Sequence, residues 1–498
     1  MDMAESFKNG VPYLEGSGGL HLYGAIMYIL TLMRATTVIR FAMELAGFEK
    51  VFIMTHTLQS HFQINAAHDA WVGSRLARSG GAFGGALSIL LAAIAQSGAA
   101  QSRSPLIILE RANSQMRAVS ADGNVVAGTM RIRECGNAVR WTLDGGAVFL
   151  PVSPTTRCSA VSALSADGSR AVGNIVGNIV GSGQPAAYWD ATGLPVVLGD
   201  LSGGNLSATA ECVSADGSII MGAGRPSSGI ETWRWTADLG MLSLGDLPGG
   251  SINTFPFAVS ADGNVMMGVG FAESGAVMFR WTHETGFENL GPVPGSTGSG
   301  GFGMSSDGTT LVGCAATGSG QAEYAVLWRR ESGYVALGQP AGSFRGLATC
   351  ADRDGTNIGG RVLKIASNGR GIDHAVLWVE GRETRLFADV LRDDLGVDLG
   401  EFRPASISGI SDDGTTVAGW GVMDQLSLST FPNSFGFIAY LPRVCRVDLD
   451  NTGGVDGGDV EAFFTLWEDG LPQADFDRSG EVEGNDIAAF LSAWQVGC

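Results

Sequence analysis

Seven times between Asp122 and Gly419 the chain writes Asp-Gly, four residues, and a second Gly. The aspartates are Asp122, Asp167, Asp216, Asp262, Asp307, Asp354 and Asp413, spaced 45, 49, 46, 45, 47 and 59 residues apart. A period of that length belongs to blades or solenoid turns, units that cannot bury a core alone and become stable by stacking. The middle of the chain is therefore an array rather than one enzyme core.

Residues 258–269 show the unit: two short apolar runs joined by Asp262-Gly263, the Gly supplying the left-handed conformation of a tight hairpin. A third run ends on an aromatic, as at Trp141, Trp189, Trp235, Trp281, Trp328 and Trp378, and a fourth follows a Gly turn, as in residues 196–199. Four strands of about five residues, with turn signals every ten or so, make one propeller blade. The second Gly of each copy falls where strands crowd, which implies close backbone packing rather than ligand approach.

The seventh unit has a hairpin, residues 407–421, and a third strand near 435–441, but the chain then leaves without a fourth. An orphan apolar run, Leu106-Ile107-Ile108-Leu109, precedes the first copy. It is predicted to supply the missing strand, closing the ring and removing the edges an open array would expose. The expected fold class is mainly β: a seven-bladed β-propeller over residues 104–444, closed by an N-terminal strand, with a small α-helical domain at 445–498. An open solenoid is the rival.

Units such as Ala187-Tyr188-Trp189, Leu198-Gly199-Asp200-Leu201 and Val213-Ser214-Ala215-Asp216-Gly217 resemble the HAF-type extracellular repeat of bacterial secreted proteins. Asp373-His374-Ala375-Val376-Leu377-Trp378 is nearest to the motif that names it. The resemblance covers roughly residues 104–444 and implies architecture and an extracellular setting, not an activity. Sialidase-type Asp-boxes carry a residue between Asp and Gly that is absent here.

The C-terminus speaks a different chemistry. Residues 448–459 and 475–486, which start 27 positions apart, both fit a twelve-residue calcium loop, with oxygen side chains at positions 1, 3, 5, 9 and 12, Gly at 6 and Val at 8. Calcium takes six to eight hard oxygens. The first set is Asp448, Asp450, Thr452, the Gly454 carbonyl, Asp456 (directly or through water) and Asp459. The second is Asp475, Asp477, Ser479, the Glu481 carbonyl, Glu483 and Asp486. Two calcium ions are the expected cofactors. From Asp448 to the end, twelve acids stand against the single base Arg478, a balance of −11 within the chain's −19. A solvated acidic tail would also show such charge, but each loop precedes an amphipathic helical pattern, residues 460–467 and 487–494, carrying Trp467 and Trp494.

Each loop has a following helix but no preceding one, and position 12 is Asp rather than the Glu of the usual EF-hand. Together with the flanking Cys445 and Cys498, this makes 445–498 similar to a duplicated dockerin of the GC type. The resemblance implies a cohesin-like or other extracellular scaffold protein as partner. The positions that usually select the cohesin are Gly457-Gly458 and Gly484-Asn485 here, so the partner stays open.

Of seven cysteines, Cys445 and Cys498 bracket the small domain, and a disulfide between them would close a loop worth ~4 kcal/mol in the chain-entropy estimate. Cys135–Cys158 is the less favoured pair, and Cys212, Cys314 and Cys350 read as packed thiols. Arg75-Leu76-Ala77-Arg78, an apolar stretch 82–95 and the small residues 97–100 have the form of a signal peptide at 72–100, too short for a membrane span. Translation is expected to start near Val72, with 1–71 a non-native or disordered extension; a cytoplasmic extension before a signal anchor is the alternative. The location expected is extracellular or cell-surface. An acidic chain lacks the clustered Lys and Arg that phosphate backbones require, which excludes nucleic acid as partner.

Three functions compete: a non-catalytic binding or scaffold propeller tethered by its calcium domain; a carbohydrate-active enzyme, a glycoside hydrolase or lyase of polysaccharide breakdown; and a structural envelope repeat protein. The repeated aspartates are too regular for a catalytic pair and are expected to bond their own turns. Acids outside the pattern, Asp238, Glu273, Glu284, Glu323 and Asp373, share no spacing that nominates two of them. Binding is therefore favoured over catalysis, no catalytic residue is assigned, and a carbohydrate ligand on the propeller is open.

Overall fold

The computed structural model describes residues 104–496, apart from 133–134, 178–182, 191–192, 205–206, 317–321, 381–383, 424–433, 444–445, 450–454 and 478–480. The expected leader and extension, residues 1–100, lie outside the described residues.

The array is a seven-bladed β-propeller: seven four-stranded antiparallel sheets, six of them built from four consecutive strands. The seventh takes its outermost strand from the start of the chain. Leu106–Ala112 pairs with Ser434–Tyr440, with Ile107 opposite Ile438 and Ile108 opposite Phe437. The predicted closure is thus observed, and it joins the first and last segments of the array so that no blade is left with a free seam.

The inner strands of successive blades, Ser114–Val119, Thr156–Leu164, Thr209–Val213, Phe255–Val259, Gly298–Met304, Ser343–Ala351 and Arg403–Ile410, touch in a closed cycle around the axis. Beyond their ends a second ring closes through the Asp-Gly hairpins. The amide of Ala121 donates to the Ala166 carbonyl (2.8 Å), Ala166 to Ala215, Ala215 to Ala261, and Ala261 to Ser306. Asp307 then donates to Arg353, Arg353 to Asp412, and Asp412 back to Ala121 (3.0 Å). Side-by-side hairpins thereby satisfy groups that a lone blade would leave unpaired.

The third-strand aromatics fill the spaces between blades. Trp141, Trp189, Trp281, Trp328 and Trp378 are buried, and in the third blade Trp233 is fully buried beside a half-buried Trp235. The cysteine expectations divide. Cys135 and Cys158 form a disulfide, the less favoured of the two pairings weighed from the sequence. Cys212 and Cys314 are buried free thiols and Cys350 a half-buried one, and burial pushes Cys314 and Cys350 up to about 12, the state of packed, inert thiols. Cys445 and Cys498 lie outside the described residues.

The recurring second Gly has a larger consequence than close packing. At Gly128, Gly173, Gly222, Gly268, Gly313, Gly360 and Gly419 an added Cβ would lie only 1.8–2.1 Å from a carbonyl oxygen of the inner strand. Immediately beyond each of these glycines the inner strand carries a β-bulge: the register slips between Met116 and Ala118, and likewise at the matching place in the other six blades. The absent side chain lets the inner strand bend inward, and one extra residue is squeezed out of the ladder. Those residues are Arg117, Ser162, Glu211, Phe257, Phe302, Thr349 and Ser408, each five positions before its repeat aspartate.

Candidate functional site: the C-terminal loops and their helices

The chain leaves the propeller at the hairpin end, where the Leu441 amide donates to the Thr415 carbonyl. Two helices follow, α1 (Gly457–Glu468) and α2 (Gly484–Val496), at the positions the amphipathic pattern gives. Asp456 caps α1: its carboxylate accepts from the Gly458 amide (2.7 Å), and Asp459 accepts from the Asp456 amide (2.8 Å). Such a reciprocal box satisfies donors that open a helix.

The two loop–helix units repeat at 27 residues and interlock. Phe463 of α1 stacks on Phe490 of α2 with centroids 4.1 Å apart and planes 2° from parallel, and Phe476 meets both edge-on. Trp467 donates from Nε1 to the Glu483 carbonyl in the second loop (2.9 Å), and Trp494 donates to the Asp456 carbonyl in the first (2.9 Å). Each helix therefore holds position 9 of the other unit's loop, and the two loops are braced as a pair.

In the second loop the carboxylates of Asp475, Asp477 and Asp486 present oxygens all within 4.8 Å of one another. Asp486 is fully buried and is oriented by two amides, those of Asp477 (2.9 Å) and Glu483 (2.7 Å). Three like charges so close repel, at an energy that grows as water is excluded, and a divalent cation between them removes that cost. All three offer hard oxygen, the donor calcium prefers. The residues present fit such an ion. The Asn485 side chain donates from Nδ2 to a Glu483 carboxylate oxygen (2.8 Å), and Glu481 is exposed. In the first loop Asp448, Asp456 and the fully buried Asp459 are described. Asp450, Thr452, Gly454 and Ser479 lie outside the described residues.

Arg446 links this site to the propeller. Its guanidinium donates to the carbonyls of Phe476 (2.9 Å) and Asp475 (3.0 Å) and lies 4.1 Å from the centre of the Phe476 ring. The same group approaches Glu380 (3.6 Å), which pairs with Arg329 (3.3 Å) on the preceding blade. The carbonyl of Asp475, the first residue of the second loop, is thus held by a side chain that pairs with Glu380 on the sixth blade. Nothing in the calcium-loop spacing points to Arg446, which lies before both loops.

The propeller's repeated aspartates work inside their turns, as the sequence suggests. Asp122 accepts from Ser120 (2.6 Å) and the Asn124 amide (3.0 Å), while the Ser120 hydroxyl accepts from the Val125 amide (2.9 Å). Ser165 and the Ser169 amide hold Asp167 down at about 2 in the same way. Blade six departs from the pattern, because Asp352 stands where the other copies have Ser. It is 4% exposed, accepts from the Asn357 amide (3.1 Å) and side chain (2.6 Å), and burial raises it to about 6. The acids outside the pattern are scattered over different elements. Asp238 and Glu284 lie in third-to-fourth-strand turns, Glu273 in a second-to-third-strand turn, and Glu323 and Asp373 on third strands of different blades.

No protein-family model and no curated protein matches the chain. Among solved structures it is similar to a putative TolB from Agrobacterium tumefaciens, at 13% identity over 66% of this chain and 91% of that one, with a TM-score of 0.35. It is also similar to an oligogalacturonate lyase in complex with manganese, at 12% identity over 68% and 91%, TM-score 0.42. An oligogalacturonate lyase from Vibrio parahaemolyticus gives 11% over 68% and 92%, TM-score 0.44. Scores at this level carry no argument about function.

Proposed function

We propose that this chain is a non-catalytic binding protein of the cell exterior, in which a rigid HAF-like propeller presents a recognition surface and a dockerin-like pair of loops, loaded with two calcium ions, fastens it to a scaffold protein. The observation that carries the reading is the convergence of Asp475, Asp477 and Asp486 in a loop whose partner unit braces it through Trp467. Asp475, Asp477, Ser479, the Glu481 carbonyl, Glu483 and Asp486 would hold one ion, and the matching residues of 448–459 the other. Calcium would supply positive charge beside the buried carboxylates of Asp459 and Asp486 at their helix starts.

Binding is favoured over catalysis because the repeated aspartates are spent inside their own turns and no two of the propeller's other described acids are seen paired. Among the seven bulge residues Glu211 is the one acid, whereas glycoside hydrolysis needs two. No helix among the described residues is long and apolar enough to cross a membrane.

Arg478 sits inside the second loop and gives a direct test. Trypsin should cut the EDTA-treated full-length chain after Arg478 rapidly, and millimolar calcium should protect that bond while magnesium at the same concentration does so poorly. Equal cleavage with and without calcium would remove the metal from the account.

A further inference from the structure

The seven repeats serve as an internal comparison. Positions that build the turn repeat: Asp and both glycines occur in all seven copies, and the inner-strand residue after each bulge is always small, Ala118, Ala163, Cys212, Ala258, Gly303, Cys350 or Gly409. That position is small because neighbouring inner strands press on it. At Gly303 a Cβ would lie 2.4 Å from the Thr349 carbonyl, and at Gly409 2.8 Å from the Arg117 carbonyl.

The bulge position obeys no such rule. It holds a cation, an acid, two aromatics and three hydroxyls, each partly exposed and each preceded by a buried residue. The described bulge side chains meet at the seam between inner strands: the Thr349 hydroxyl donates to the Ile407 carbonyl of the next blade (2.6 Å), and the Phe257 and Phe302 rings touch across two blades. The fold fixes their placement and leaves their chemistry free, which is how a scaffold carries a binding site.

One arc of this ring is organised. Phe257 is 36% exposed and its ring lies 5.2 Å from that of Phe302 on the next blade. On the neighbouring blade Glu211 is half-buried, and burial raises its carboxyl against the Thr209 hydrogen bond and the charge of Arg117. Two residues before Glu211 and Phe257, on the same strands, Thr209 and Phe255 line a cavity of about 240 Å3 with Gln184 and Arg225. Arg225 and Ile230 also border a wider cleft of about 670 Å3, walled by Ser228, Ser251 and Asn253. The Ile230–Asn253 bridge holds the two loops of that cleft together. The cleft lies at the end of the propeller opposite the Asp-Gly hairpins and the C-terminal loops. Its size is that of a small-molecule site, its lining is rich in hydroxyls and amides, and the aromatic pair begins two residues along the strand from Phe255 in the smaller cavity.

We propose that this cleft, from Asn253 and Arg225 inward to Phe257, Phe302 and Glu211, binds the end of a neutral oligosaccharide. The phenyl rings offer a flat face to the C–H side of a sugar ring. Glu211 and the Thr209, Ser228 and Asn253 side chains match its hydroxyls, and Arg225 orients one of them through its planar fork. The proposal rests on the reading of the propeller as a binding surface and names its ligand class; it does not depend on the calcium loops, so the two fail separately.

The test uses the full-length protein with calcium present and a panel of neutral hexose oligosaccharides of three to six units, β-1,3- and β-1,4-linked, read by isothermal calorimetry and saturation-transfer NMR. Oligouronates and short peptides of equal length form the counter-panel. At least one neutral oligosaccharide should bind, with saturation transferred to the C–H protons of one terminal ring. Phe257→Ala and Glu211→Gln should each weaken binding at least tenfold, and Leu239→Ser, in an exposed turn between third and fourth strands, should leave it unchanged. Phe257→Leu keeps the packing volume without the flat face and should also lose affinity, which covers the case in which the alanine variant does not fold. The proposal is overturned if no neutral oligosaccharide binds at millimolar concentration, if the Phe257 and Glu211 variants bind like the parent, or if only oligouronates or peptides bind.

Discussion

The propeller hairpins and the C-terminal loops are both Gly-containing turns built on aspartate, yet they spend that aspartate in opposite ways. In a hairpin the carboxylate is consumed locally: Asp216 accepts from Ser214 (2.6 Å) and from the Ser218 amide (2.9 Å) and hydroxyl, all within two residues. In the second loop Asp475, Asp477 and Asp486 come from positions 1, 3 and 12, and their carboxylates gather at one point. The difference teaches that an aspartate-rich turn is structural when each carboxylate is saturated by its own turn, and a metal candidate when the carboxylates need one another's space.

The largest effect that could break this contrast comes from the loops. Asp475→Ala with Asp486→Ala should abolish calcium binding at the second loop and leave the propeller's thermal transition in place, measured by calorimetric titration and near-ultraviolet circular dichroism. Next comes the hairpin that departs from its own pattern. Asp352 binds its proton more tightly folded, at about 6, than unfolded, at 3.8, so its contribution to stability falls as pH rises from 3.8 to about 6 and stays low above that. Asp352→Asn should remove that slope and stabilise the propeller at pH 7 by up to about 3 kcal/mol, read by denaturant titration across pH. Smaller effects follow. Arg446→Ala removes two bonds to loop carbonyls and an ion pair with Glu380, and should lower second-loop calcium affinity by about 1 kcal/mol. Asp216→Ala should cost the propeller about 1 kcal/mol and change calcium binding not at all.

Much of the architecture was legible because it lies in periodicity. The Asp-Gly period gave the blade count, and the missing strand of the seventh unit pointed to Leu106–Ala112, which pairs with Ser434–Tyr440 as expected. Amphipathic patterning located α1 and α2 to within a few residues. The Cys135–Cys158 pairing ranked low from sequence because it joins strands of neighbouring blades, Cys135–Thr142 and Thr156–Leu164, whose juxtaposition depends on the ring being closed. The bulge residues went unread for a different reason. The second Gly was visible, and so was its meaning as close packing, but a bulge is a relation between two strands, and only pairing shows which residue the Gly expels. Once that offset is known, position −5 from each aspartate gives Glu211 and Phe257 directly. Arg446 was missed because its role depends on Glu380, far away in sequence and near in space.

The central claim is that two aspartate-rich turns bind calcium and seven do not, and the stoichiometry of calcium binding to the EDTA-treated full-length chain tests it most directly. Calorimetric titration should give two ions per chain, falling to one in Asp475→Ala with Asp486→Ala and unchanged in Asp216→Ala. No bound calcium, or a stoichiometry that falls when hairpin aspartates are replaced, would contradict the account.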